Sequence, residues 1–137
     1  MNEKELINYY NKFNEDKRLD RRHGIVEYTT TLKYLHNYLK DKKSKIIEVG
    51  AGSGKDSIAL SNEGYDVTAI ELVKHNLMTL RSKSSNVTSY LGNALDLSRF
   101  KDNTFDMVLL LGPMYHLISD TNKLKALQEA KRIVKDT

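Results

Sequence analysis

The stretch KIIEVGAGSG, residues 45–54, carries a short apolar run directly into three glycines spaced two apart. Ile46, Ile47 and Val49 are β-branched and too few to make a helix, so they predict a buried strand. Gly50, Gly52 and Gly54 allow a tight turn and let a ligand come close to bare backbone. Gly54–Lys55–Asp56–Ser57 then opens a predicted helix carrying Ile58, Ala59 and Leu60, whose first-turn N–H groups face whatever occupies the loop. Strand, glycine loop and helix in this order are the start of a nucleotide-type βαβ unit.

Spacing separates the possible ligands of such a loop. A phosphate-cradling P-loop requires G-x-x-x-x-G-K-[ST], but Val49 stands where its first glycine belongs and Asp56 follows Lys55. A dinucleotide fingerprint requires G-x-G-x-x-G, and here the third glycine comes one residue early, which weakens that reading without removing it. The pattern E-x-G-x-G-x-G over Glu48–Gly54 resembles the first motif of class I S-adenosylmethionine (SAM) dependent methyltransferases. That resemblance implies a ligand with an amino acid moiety in place of a pyrophosphate.

The next segment completes the unit whatever the ligand is. Gly64 reads as the glycine that ends the helix, and Asp66–Val67–Thr68–Ala69–Ile70–Glu71 as a second strand closed by an acid. Glu71 lies 19 residues beyond Gly52. A carboxylate at that strand tip can accept both hydrogen bonds of a ribose diol, so it argues for a ribose rather than for a reaction.

Downstream the resemblance becomes more specific. Ser89–Leu97 looks like the segment after the third strand of these methyltransferases, and Asn103–Leu111 like their fourth strand with its "FD" start at Phe105–Asp106. Gly112–Pro113–Met114–Tyr115–His116–Leu117 is similar to the helix start that follows that strand in small-molecule enzymes of the quinone-biosynthesis type. Together these blocks cover about residues 44–135. One position departs from the pattern: Asn93 stands where an aspartate usually accepts from the adenine 6-amino group. Its amide oxygen can accept the same bond and its nitrogen can also donate to the ring.

The resemblance implies a Rossmann-like α/β fold, a doubly wound parallel sheet with SAM as cofactor and S-adenosylhomocysteine as product. It places Gly50, Ala51, Gly52 and Gly54 around the methionine moiety, Glu48 on the loop or the amino group, and Glu71 with Leu72 at the ribose. Asn93 and Ala94 meet the adenine, with Leu111 and Tyr28 completing the cofactor contacts. Methyl transfer from a sulfonium needs positioning more than acid–base machinery. His116, and after it Tyr115, are the candidates to deprotonate an acceptor; each can equally be a residue that packs a helix start on the sheet. The implied acceptor is a small molecule. Two further functions stay open: a SAM-binding unit without turnover, and a NAD-dependent oxidoreductase.

Composition fits one globular domain, with 39% hydrophobic and 29% charged residues over 137 positions. The chain has no cysteine, which excludes disulfides and thiolate metal sites, and its four histidines lack metal-ligand spacing. No metal is expected. Met107–Leu111, the longest strongly apolar run, is far shorter than the roughly 20 residues of a membrane span. The N-terminal Met1–Glu5 lacks the apolar core of a signal peptide, so the cytoplasm is the expected compartment. The net charge of +4 comes from basic residues interleaved with acids. The one dense cluster, Lys40–Lys45, reads as a solvated connector, so a nucleic-acid partner is not expected.

Two helices are predicted ahead of the first strand, giving a division into an N-terminal cap, residues 1–43, and a SAM-binding core, residues 44–137. Ile25, Tyr28, Leu32, Leu35 and Leu39 recur at steps of three and four and form one apolar stripe for packing on the sheet. In similar methyltransferases such helices lie over the cofactor pocket. Tyr9, Tyr10, Phe13 or Tyr28 then serve either a lid or the core, and Arg22 either the SAM carboxylate or the surface. At the other end, Lys123–Lys135 predicts a helix with Leu124, Leu127, Ala130 and Val134 inward. The family's sheet has seven strands in order 3-2-1-4-5-7-6, and only the first four have candidates here, as if the chain were cut before strand 5. A fourth strand with one bare edge predicts homo-oligomerisation.

Overall fold

The structure, a computed structural model, describes Lys4, Leu35, His36, Tyr38, Leu39, residues 41–110 and residues 119–135. Four strands, β1 Lys45–Val49, β2 Asp66–Glu71, β3 Thr88–Leu91 and β4 Met107–Leu109, form one sheet in the order β3-β2-β1-β4. Every pairing is parallel, with Val49 opposite Ile70 and Glu71 opposite Leu91, while β4 sets Met107 opposite Ile46. Among the described residues three helices connect or follow the strands: α1 Lys55–Asn62, α2 Lys74–Lys83 and α3 Asp120–Ile133. The fold class and the 3-2-1-4 order agree with expectation, and β2 has the predicted bounds.

Parallel strands covered on both faces are apolar on both sides, and β1 shows why. Ile46 and Ile47 point to opposite faces and both are fully buried, each contributing about 1.5–3 kcal/mol. Ile46 belongs to a cluster with Val67 and Ala69 of β2, Leu60 of α1 and Leu80 of α2. Ile47 belongs to another with Val49, Ile70, Phe105 and Ala126 and Ile133 of α3. The sheet is therefore doubly wound, with α1 and α2 on one face and α3 on the other. Leu35 and Leu39, from the predicted N-terminal stripe, are buried in the first cluster, and the Tyr65 hydroxyl donates to the Leu39 carbonyl at 3.1 Å. Ile25, Tyr28 and Leu32 of that stripe lie outside the described residues.

Four expectations are corrected. Ser89–Leu91 lie within β3 and not after it, since the strand runs Thr88–Leu91. The fourth strand is Met107–Leu109, shorter than Asn103–Leu111: Asn103 takes a positive φ of 53° in a turn, and Leu111 lies outside the described residues. The "FD" pair is explained by what it touches. Phe105 is buried and bridges Val134, while Asp106 exchanges bonds with Lys45 at the start of β1, donating its N–H at 2.8 Å and accepting at 2.7 Å. The last helix starts at Asp120, three residues earlier than expected, because the Ser119 hydroxyl accepts from the Asn122 N–H at 3.0 Å and caps it. Its inner face is Ala126, Ala130 and Ile133; Leu124 and Leu127 are 56% and 49% exposed, and Val134 has already left the helix. Close approach to the sheet selects the small alanines over the leucines.

Candidate functional site

The polypeptide leaves β1 toward β2 on one side while β4 lies on the other, so the strand order reverses at the carboxyl end of β1. Ligands of open parallel sheets bind at such a switch point. The loop placed there is Gly50–Gly54, with Gly50, Gly52 and Gly54 all in the left-handed region at φ of 81°, 62° and 89°.

What holds this loop is its own backbone. Gly50 and Ala51 donate their N–H groups to the Ile70 carbonyl at 2.7 and 3.1 Å, Gly52 to Glu71 Oε1 at 2.9 Å, and Gly54 to the Ala51 carbonyl at 3.0 Å. These amides are engaged inside the fold, unlike the outward N–H groups of a phosphate cradle. Gly54 has a second duty: a Cβ there would lie 2.5 Å from Leu80 Cγ and 2.6 Å from Cδ1, so the third glycine lets α1 start against α2.

Glu71 closes β2 and is buried. Besides Gly52, it accepts from the Val73 N–H through Oε2 at 2.7 Å, so both carboxylate oxygens are aligned by backbone. Its main chain also receives the Gly92 N–H at 3.0 Å, which ties the end of β3 to the same corner. Leu72, beside it, is half-buried.

Glu48 is 4% exposed and lies on the α1 face of β1. Its Oε1 accepts from the Ser57 hydroxyl at 2.6 Å. Burial, reinforced by the charges of Asp56 and Glu71 and only partly opposed by Ser57, pushes its carboxyl up to about 8. It is therefore largely protonated near neutral pH. Ser57 was not singled out in the sequence; a serine three positions into a helix gives no signal until the turn at Gly54 brings it under Glu48.

Beyond β3, Asn93 Oδ1 accepts from the Leu95 N–H at 2.9 Å and shapes a tight turn. Ala94 is buried in the α3-side cluster. Asp96 is a solvent-facing loop acid, held below the usual carboxylate range first by its hydrogen bonds with Ser98. This loop is clamped from α3: Glu129 Oε2 accepts from the Leu97 N–H at 2.6 Å, and Arg132 donates to the Leu97 and Phe100 carbonyls at 2.9 and 2.8 Å. The sequence did not point to either clamp residue.

The structure thus brings Glu48, Gly50, Ala51, Gly52, Gly54, Glu71 and Leu72 to one end of the sheet, with Asn93 and Ala94 just past β3. Tyr28, Leu111, Tyr115 and His116, and with them Tyr9, Tyr10, Phe13 and Arg22, lie outside the described residues. Among the described residues no group of histidines and carboxylates could hold a metal ion, and no helix is long and apolar enough to cross a membrane.

Comparison with known proteins agrees with this geometry. The family described as "Methyltransferase domain" matches residues 46–137. A ubiquinone biosynthesis O-methyltransferase of Rickettsia typhi is 31% identical over 119 residues, which cover 84% of this chain and 48% of that protein. A ribosomal RNA small subunit methyltransferase A of Wigglesworthia glossinidia brevipalpis is 29% identical over 110 residues, covering 75% and 42%. A solved SAM-dependent methyltransferase of Methanosarcina mazei superposes with a TM-score of 0.68 at 25% identity, over 74% of this chain and 52% of that one. The chain spans about half the length of the curated relatives it matches.

Proposed function

The chain belongs to the methyltransferase-domain family, whose cofactor is S-adenosylmethionine, and from that premise we propose that it forms the cofactor-binding part of an enzyme that methylates a small molecule. The observation that carries this reading is the wiring of the glycine loop. With the amides of Gly50, Ala51, Gly52 and Gly54 turned inward, the loop suits a ligand with a cationic amino acid end better than a pyrophosphate. The same wiring speaks against the NAD-dependent alternative.

The residues fit SAM. Glu71 presents a buried, backbone-aligned carboxylate to a ribose diol, and Glu48 steadies the loop through Ser57. Asn93, its turn fixed by Leu95 and its loop clamped by Arg132, meets the adenine edge with Ala94 beside it. Gly50, Gly52 and Gly54 enclose the methionine moiety, with Leu72, Leu111 and Tyr28 as further cofactor contacts. When bound, SAM supplies a methyl group on a sulfonium that is already a good leaving group. The protein's share is to align donor and acceptor in line and to exclude water, with the methyl passing to the acceptor nucleophile and the acceptor's proton to a base. His116, with Tyr115 beside it, is assigned that proton.

A small-molecule acceptor is supported by the quinone-type block at Tyr115–His116–Leu117 and by the Rickettsia relative, whose name is that of an O-methyltransferase of ubiquinone biosynthesis. The relative named for ribosomal RNA is the competing case, and the basic residues of this chain, interleaved with acids along the sequence, do not favour it. Calorimetric titration with S-adenosylhomocysteine tests the cofactor assignment. Expected are binding that NADH does not compete and a loss of at least tenfold in Glu71→Ala; displacement by NADH, or no binding by folded protein, overturns it.

A further inference from the structure

Asn76 lies in the first turn of α2 and is 2% exposed, yet its Nδ2 has no hydrogen-bond partner, alone among buried side-chain nitrogens and oxygens of the described residues. Native proteins leave few such groups, and each calls for an explanation. Its surroundings supply one. Asn76 and Leu80 are one helical turn apart and so share a face of α2, and Leu80 is the side chain that fills the space beside Gly54. One turn earlier, the N–H of Val73 holds Glu71, whose other oxygen holds Gly52. The unpaired amide is therefore on the side of α2 that supports the glycine loop. The loop's N–H groups at Gly50, Ala51, Gly52 and Gly54 already donate within the fold, so what it offers a neighbouring donor is carbonyl oxygen.

We infer that Asn76 is a positioning residue for the cofactor loop: its amide donates to a backbone carbonyl of Gly50–Gly54 in the form that encloses the cofactor, and is left unpaired in the free form. The buried donor thus disfavours the free state and favours the bound one, which couples occupancy of the site to the seating of α2. This rests on the cofactor reading above.

The test compares Asn76→Leu and Asn76→Ala with the unaltered chain, reading thermal midpoint without ligand and affinity for S-adenosylhomocysteine. Neither variant can donate; Leu fills the site and Ala leaves a void. The expected result is that both lose affinity by a similar factor, about tenfold, although Asn76→Leu matches or exceeds the unaltered chain in stability and Asn76→Ala falls below it. Affinity that tracks stability, or an Asn76→Leu variant that binds as well as the unaltered chain, overturns the inference while leaving the cofactor reading intact. Failure of both variants to fold overturns it too, because the amide would then be engaged in the free protein. No binding by the unaltered chain removes the cofactor reading and this inference with it.

Discussion

Ser57 donates its hydroxyl hydrogen to Glu48 Oε1 across 2.6 Å, joining the first turn of α1 to the strand that precedes it. Because Glu48 is buried close to Asp56 and Glu71, its carboxyl is pushed from 4.5 to about 8. A proton held more tightly in the folded chain than in the unfolded one stabilises the fold fully below the unfolded value, and that stability is lost as pH rises through the folded value. The chain is therefore expected to lose roughly 2 kcal/mol between about pH 6 and pH 8. Glu48→Gln keeps an acceptor for Ser57 and cannot ionise, so its denaturation midpoint should vary less over this range. The exposed His36–Glu63 pair, 2.7 Å apart, is present in both proteins, so their difference isolates Glu48. Parallel curves would mean that Glu48 is ionised in the folded chain.

Gly54 and Gly64, at the two ends of α1, should respond differently to an added methyl. Gly54→Ala meets both a left-handed φ of 89° and the Leu80 side chain at 2.5 Å, and should cost about 2–4 kcal/mol. Gly64→Ala at φ 102° has open space and should cost about 1 kcal/mol from backbone strain alone. Urea unfolding of the two variants reads the difference. Equal costs would show that α2 yields to the added methyl without effort.

Arg132 holds the loop after β3 from α3, with hydrogen bonds to two backbone carbonyls and a bidentate arrangement on Glu129 at 3.0 and 3.2 Å. Glu129 is held below its usual range first by that guanidinium. Arg132→Ala should cost about 1–3 kcal/mol, since charged donors to two carbonyls are lost together. Arg132→Lys should recover little, because an ammonium on a flexible stem cannot span Leu97, Phe100 and Glu129 as a planar fork does. Full recovery by lysine in thermal denaturation would reduce the clamp to simple charge.

Much of this was legible in the sequence where the chemistry is local. Gly64 and the terminal Glu71 bracket β2, and glycine spacing together with an acid on the next strand pointed to the corner where Glu71 accepts from Gly52. The inner face of α3 was misread except at Ala130, because Leu124 and Leu127 form the more hydrophobic stripe, while the sheet takes the smaller Ala126 beside Ala130. Depth of approach between a helix and a sheet is a tertiary quantity that a hydropathy pattern does not carry. Its true start was readable, since Ser119 followed by Asp120 is a capping signature. Ser57 and Arg132 were not, because each acquires its role from a partner on another element.

Two separate apolar features invite self-association, and they can be told apart. Among the described residues β4 pairs only with β1, leaving the other edge of Met107–Leu109 without a strand partner. On α3, Leu124 and Leu127 stand one turn apart with about half of their surface exposed. Light scattering over a concentration series is expected to show a mass that rises above that of a single chain. Leu124→Lys/Leu127→Lys replaces half-exposed side chains with lysines whose apolar stems can cover the same surface, so it should cost no more than about 1 kcal/mol. If association runs through the β4 edge, its mass profile will match that of the unaltered chain, whereas a return to single-chain mass assigns it to α3. A single-chain mass for the unaltered protein at every concentration would contradict both routes.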